Sequence, residues 1–249
     1  MTYTFETMAA DTTPTSTSTR RRVVIASVLL AVTLASAGGV ALWRRAWMAP
    51  AWWADAAADH RQTTVLADRV EYRLAEEAHK IRPGDDSWRL RITEDQVNAW
   101  LSSRLPAWLA HSRDLQWPPQ LGTPQVHFVN GAVHIGLDYQ DDGRRRYLVA
   151  TLQPRVVDGR LALVLRGVAF GRLSIPGGSV RTLIETYRDV VPDRFLEDAS
   201  VQRIIDLLID EQRIDPVVSL SDGRRVRLLD IRVDAGEVIL RCRTEAATR

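Results

Sequence analysis

His127 and His134 stand at equal distance on either side of Asn130-Gly131. A two-residue turn at that dipeptide pairs them directly across a hairpin, so their imidazoles become neighbours. Two imidazoles begin a metal site, but a third ligand is needed, and neither Asp138 nor His111 is fixed nearby by spacing. The expected reading is a pair of surface histidines, with no metal and no cofactor. Pro176-Gly177-Gly178-Ser179 precedes an apolar period of 3.6. Free N–H groups at such a helix start can hold a phosphate, for instance a lipid headgroup. The plainer expectation is a turn followed by Ser179 as N-cap. The acidic pairs Asp85-Asp86, Glu94-Asp95 and Asp141-Asp142 fall at turns and a helix start, where carboxylates serve the local backbone. Cys242 is the sole cysteine, so neither an intrachain disulfide nor a thiolate cluster can form. It lies in an alternating stretch where a small buried apolar residue is the default. Phosphate-loop, nucleophile-elbow, zinc-helix and dinucleotide signatures do not occur, and no catalytic residue is expected. The chain reads as a non-enzyme.

Charge points the same way. The net charge is +2, and acids are interleaved with arginines past Arg44, which gives no footprint for nucleic acid. Lys80 is the sole lysine. Arginines spread this evenly read as solvated faces rather than as an anion site.

The elements that must carry these residues follow from periodicity. Leu66, Val70, Leu74, Ala78 and Ile81 form one helical stripe within residues 54–82, suited to a stalk, a coiled-coil strand or a first core helix. Trp88–Ile92 alternates as a strand, and Thr93-Glu94-Asp95-Gln96 is a capping box. The helix it opens carries Val97, Trp100, Leu101 and Leu105 and closes at Pro106. From Gln125 the period becomes two. Strands are expected at Gln125–Val129, Ala132–Tyr139, Arg146–Gln153 and Arg160–Gly167, with a type I′ turn at Asn130-Gly131. Helical stripes follow at Val180–Val191 and Val201–Leu208, then strands at Pro216–Leu220, Arg225–Val233 and Glu237–Arg243. The expected class is α+β, a curved antiparallel sheet packed against helices on one side.

Ahead of this lies Val23–Trp43, twenty-one uncharged residues between Arg20-Arg21-Arg22 and Arg44-Arg45. At about 1.5 Å per residue such a helix reaches about 30 Å, the thickness of a bilayer core. A cleaved signal peptide with a site near Ala35-Ser36-Ala37 competes, but the run is longer than a secretory apolar region and continues to Trp43. A retained anchor is the reading adopted. Three arginines before the run and two after it direct the N-terminus to the cytoplasm and the large domain outward. Residues 1–22 form a Ser/Thr/Pro-rich tail without apolar period, expected to be disordered and cytoplasmic. The organisation is thus a 1–22 tail, a 23–43 transmembrane helix, a 44–87 juxtamembrane segment with an amphipathic helix, and an 88–249 extracytoplasmic domain. Trp43, Trp47, Trp52 and Trp53 crowd the exit and suit an interfacial aromatic belt, the alternative being that Trp52 and Trp53 start the soluble core.

Three stretches carry a resemblance. Ile92-Thr-Glu-Asp-Gln-Val-Asn-Ala-Trp-Leu101 resembles the T-E-x-x-[LV]-N helix start of the YpmS-type bacterial family of membrane-anchored proteins with unknown function. Val157-Asp-Gly-Arg-Leu-Ala-Leu163 is similar to its D-G-x-L strand, and Val168-Ala-Phe-Gly-Arg-Leu-Ser-Ile-Pro176 to its G-x-L-x-[IV]-P strand ending. The resemblance spans residues 88–245 and carries over no catalytic residues. It implies a sheet wrapped on a helix, in the manner of tubular lipid-binding (BPI-like) domains, and an acyl-chain groove. Val126, Phe128, Ile135, Leu137, Leu163 and Leu165 would line that groove. Two functions are therefore expected in order: an anchored envelope domain that binds lipid or another apolar ligand, or a structural or protein-interaction domain with a filled core. An envelope hydrolase is a weaker third. The bilayer is the one partner the sequence specifies directly.

Overall fold

A computed structural model describes residues 17–54, 60–82, 86–111, 120–141, 143–176 and 213–246. Residues 1–16, most of Pro83-Gly84-Asp85-Asp86, Gly177–Ser179 and both expected helices at 180–191 and 201–208 lie outside the described residues. The chain divides into two compact units, Met1–Arg44 and Arg45–Arg249.

The first unit holds most of helix α1 (Thr17–Trp47). The expected apolar run falls within this helix, and Leu29, Leu30, Val32, Leu34, Val40, Leu42 and Trp43 are all exposed. Part of the run lies outside the described side chains. Among the described residues no helix is long and apolar enough to cross a membrane.

The second unit is α+β. Helix α2 (His60–His79) turns Ala67 and Val70 inward and packs on α3 (Glu94–Ser103), so it is a core helix and not a stalk. Its end corrects the expected stripe: Ile81 lies beyond the last turn and is 91% exposed. Trp100 Nε1 donates to Glu71 Oε1 at 2.9 Å across the helix pair. The capping box at α3 is complete, with Gln96 N–H donating to Thr93 Oγ1 and Thr93 N–H to Gln96 Oε1. The expected single helix through Leu105 is two. Arg104 interrupts it, and Pro106 sits in the first turn of α4 (Leu105–His111), where its missing N–H is unneeded, rather than closing α3.

The expected single curved sheet is two antiparallel sheets. Strands β2 (Gln125–Val129), β3 (Ala132–Asp141), β4 (Arg144–Val157), β5 (Arg160–Phe170) and β6 (Leu173–Pro176) form a meander in chain order. The other sheet runs β1 (Ser87–Thr93), β9 (Glu237–Glu245), β8 (Arg225–Asp234) and β7 (Val217–Ser219). The split follows from β1 pairing with β9, Trp88 opposite Cys242, so that chain-distant strands complete a second sheet. Strand β8 packs over β2, β3 and β4. Between the sheets Val126, Phe128, Val233 and Val238 are buried together, with Ile92, Val97, Leu101, Val133, Ile135, Ile231 and Leu240 around them.

Turn chemistry differs at one place. Asn130-Gly131 pairs Val129 with Ala132 as expected, but of the two only Gly131 has positive φ (78°), so the turn is not type I′. Both residues are committed elsewhere: Gly131 N–H donates to Val233 O, and Asn130 Oδ1 accepts from Ala235 N–H. The docking of one hairpin tip on the other sets its conformation. Asp158-Gly159 is the pair with both φ positive (53° and 73°).

Candidate functional site

The six residues expected to line an apolar groove share one face of the five-stranded sheet. The register aligns Val126, Ile135, Ala150 and Val168 across it, then Phe128, Val133, Leu152 and Leu165, then Leu137, Leu148 and Phe170, with Leu163 opposite Pro154. Their surroundings differ. Val126 and Phe128 are 7% and 5% exposed beneath Val233 and Val238, so they belong to the inter-sheet core and are corrected out of the groove. Ile135 packs against the same cluster. Leu137, Leu163 and Leu165 stay half-buried, beside half-buried Leu148 and Val168, and Phe170 is 44% exposed. The apolar face is therefore sealed toward β2 and incompletely covered toward β5.

The opposite face carries the histidine pair. His127 and His134 face each other in register, their ring centroids 6.0 Å apart. Trp52 stacks on both, at 5.3 Å and 6.3 Å with planes within 16°. His127 Nδ1 lies 3.0 Å from Glu94 Oε2, and His134 Nδ1 2.8 Å from Thr151 Oγ1. Burial, then the neighbouring His127, holds the His134 imidazole below its ordinary pKa. Among the described residues no group of three His, Cys, Asp or Glu could hold a metal ion. What the cluster does is pack. Trp53 meets Tyr147 edge-on at 5.2 Å, and a Cβ on Gly136 would lie 2.7 Å from both indoles. The expectation that Trp52 and Trp53 form an interfacial belt is thereby corrected: both lie on the sheet, because Gly136 leaves room for two indoles against a flat backbone. Because folding lowers the His134 pKa, the unfolded chain binds more protons, and stability should fall as pH drops through the ordinary histidine value of 6.5. Thermal melts from pH 7.5 to 5 should show the decline, and His134→Gln should flatten it; an equally steep decline in the variant would remove His134 as its cause.

Residues 45–54 are tied to the sheet along their length. Arg172 N–H donates to Arg45 O at 2.9 Å and Arg172 Nε to Ala49 O at 2.8 Å. Gln125 both donates to Ala54 O and accepts from Ala54 N–H. Trp47 lies beneath the Arg144 and Arg146 guanidiniums, 5.6 Å and 4.3 Å from its ring centroid.

Helix α3 supplies contacts that the capping motif alone did not suggest. Asn98 Oδ1 accepts from Val126 N–H at 2.7 Å while Asn98 Nδ2 donates to Val126 O at 2.9 Å. One turn earlier Glu94 Oε2 accepts from Phe128 N–H at 2.7 Å. Two side chains spaced i, i+4 thus complete the outer edge of β2, which would otherwise be an open template for another strand. Residues 93–98 form one device: Thr93 and Gln96 cap the helix, and Glu94 and Asn98 close the strand.

No family model matches this chain, and no curated protein or solved structure matches it either. A separate pocket of about 360 Å³ is lined by Ile81, Arg82, Asp222, Arg224, Thr244 and Ala246. Its guanidiniums are already engaged, Arg224 with Asp222 and the carbonyls of His79 and Lys80, and Arg82 with Glu77 and over the Trp88 ring. The Asp222 carboxyl is held below its ordinary pKa chiefly by the Arg224 hydrogen bonds. Cys242 is buried as expected, and burial pushes its thiol up to about 11, far from a reactive thiolate.

Proposed function

We propose that this is a single-pass, signal-anchored protein of the cell envelope, N-terminus in the cytoplasm, whose extracytoplasmic α+β domain binds the acyl part of a membrane lipid. The resemblance to the YpmS-type family belongs to this proposal, as does a non-enzymatic role. The observation that carries it is the uneven cover of the apolar sheet face: Leu137, Leu148, Leu163, Leu165 and Val168 are half-buried and Phe170 exposed, in a domain continuous with a helix whose aliphatic side chains are bare. Exposed leucines and valines around a helix find their favourable solvent in hydrocarbon. An apolar strip beside a bilayer is suited to a chain drawn from it.

The test is mass spectrometry of lipid extracted from the full chain purified in two chemically different detergents. One lipid class should be retained in both, and Leu148→Trp, which fills the strip, should reduce it severalfold. A blank extract in both detergents rejects lipid binding. It would favour the second reading, an interaction domain with a filled core, which has its own support in the burial of Val126 and Phe128 between the sheets.

A further inference from the structure

Four arginines from three separate segments meet on the second unit at the point where the chain leaves the apolar run. Arg45 is two residues past Trp43. Arg172, in the β5–β6 turn, is hydrogen-bonded through its backbone to Arg45 O. Arg144 and Arg146, at the start of β4, lie over Trp47. Arg45, Arg144 and Arg172 are exposed and Arg146 is half-buried. The neighbouring Arg145 is paired with Asp138 at 3.2 Å. Asp141 and Asp142 precede the cluster in sequence, and the four arginines outnumber them, so the balance stays positive.

We propose that this cluster is a docking surface for anionic phospholipid headgroups; it rests on the anchor reading above. Two residues of chain span at most about 7 Å, so Arg45 cannot leave the headgroup layer when Val23–Trp43 spans the bilayer. The groups bonded to its backbone are held there with it. Guanidinium forks match phosphate oxygens, and basic residues at a membrane surface gain from negative lipid charge. Trp47 beneath two guanidiniums suits the same layer, where an indole keeps one side apolar and the other wet. The pinning by Arg172 and Gln125 holds the arginines at one fixed depth.

The full chain is reconstituted in nanodiscs of phosphatidylcholine, with or without phosphatidylglycerol, and amide hydrogen exchange is followed at 143–146, 171–173 and 29–43. Phosphatidylglycerol should slow exchange at 143–146 and 171–173 by about fivefold or more. High salt should reverse this, and so should Arg45→Glu with Arg144→Glu, which leaves the backbone bonds to Arg172 intact. Equal exchange in both disc types, with 29–43 protected in both, overturns the docking surface and leaves the anchor standing. Free exchange at 29–43, with the chain eluting apart from the discs, overturns the anchor and the docking surface together.

Discussion

Gly171→Ala should destabilise the domain by about 2–4 kcal/mol, combining left-handed backbone and overpacking costs. For a chain of this size that is a fall in Tm of about 4–16 °C. Gly171 has φ +55°, a conformation that costs an L-residue about 1 kcal/mol or more. Its would-be Cβ lies 2.5 Å from Ala46 O and 2.6 Å from Met48 O. These are main-chain atoms, with no rotamer to move aside, so the β5–β6 turn must lift from the exit segment. Lifting it strains Gly171 N–H to Tyr147 O at 2.8 Å and Arg172 N–H to Arg45 O at 2.9 Å. Gly143→Ala is the matched control: φ is +72°, but nothing lies within 4 Å of the new Cβ, so only the backbone cost remains. Thermal melts of the two variants separate the contributions. Equal losses would show that close approach of the exit segment contributes nothing. Hydrogen exchange at 45–49 should quicken in Gly171→Ala and not in Gly143→Ala.

That close approach belongs to the part of the fold hidden in the sequence. Trp52 and Trp53 were legible as amphipathic rings near an apolar run. Nothing local links Arg45 with Arg172, or Trp52 with a histidine pair more than seventy residues on. What was legible is what local physics decides. Alternation gave β2 to the residue and the cores of β3 to β5, whose ends run two to four residues further, and placed His127 opposite His134. The Thr93–Gln96 spacing predicted the helix cap, with both hydrogen bonds present. A period of two tells which residues share a face but not which sheet lies above it. Val126 and Phe128 therefore read as groove when they are core, and the pairing of Trp88 with Cys242 that divides the sheets has no local signature. Glu94 shows the same limit, since a carboxylate at a helix start looks fully explained by the helix. Its reach to Phe128 N–H depends on where β2 docks.

Asn98→Ala should cost about 2–4 kcal/mol, because it removes two hydrogen bonds and leaves a desolvated N–H and C=O behind. Val126, whose backbone both bonds satisfy, is itself buried, and α3 lies over it, so water cannot replace the lost partners without opening the helix–strand contact. Asn98→Asp is the informative companion. A carboxylate still accepts from Val126 N–H but cannot donate to Val126 O, and it sets a negative charge beside that carbonyl. It should therefore rescue little at neutral pH, although it is nearly isosteric. Glu94→Gln retains an acceptor for Phe128 N–H and should be much milder than either. The measurement is denaturant unfolding of each variant, with light scattering to follow self-association, since an unclosed β2 edge invites strand pairing between copies. A loss of under 1 kcal/mol for Asn98→Ala, the range of an ordinary exposed helix position, would sink the clamp. A loss of the expected size gives the Thr93-Glu94-x-x-Val97-Asn98 pattern a physical basis: one helical turn caps itself, packs Val97 into the inter-sheet core and closes a strand edge. None of that requires chemistry at Glu94 or Asn98, so folding alone accounts for these residue types at this helix start, and the half-covered sheet face and the arginines beside Trp47 are left as the surfaces that folding does not explain.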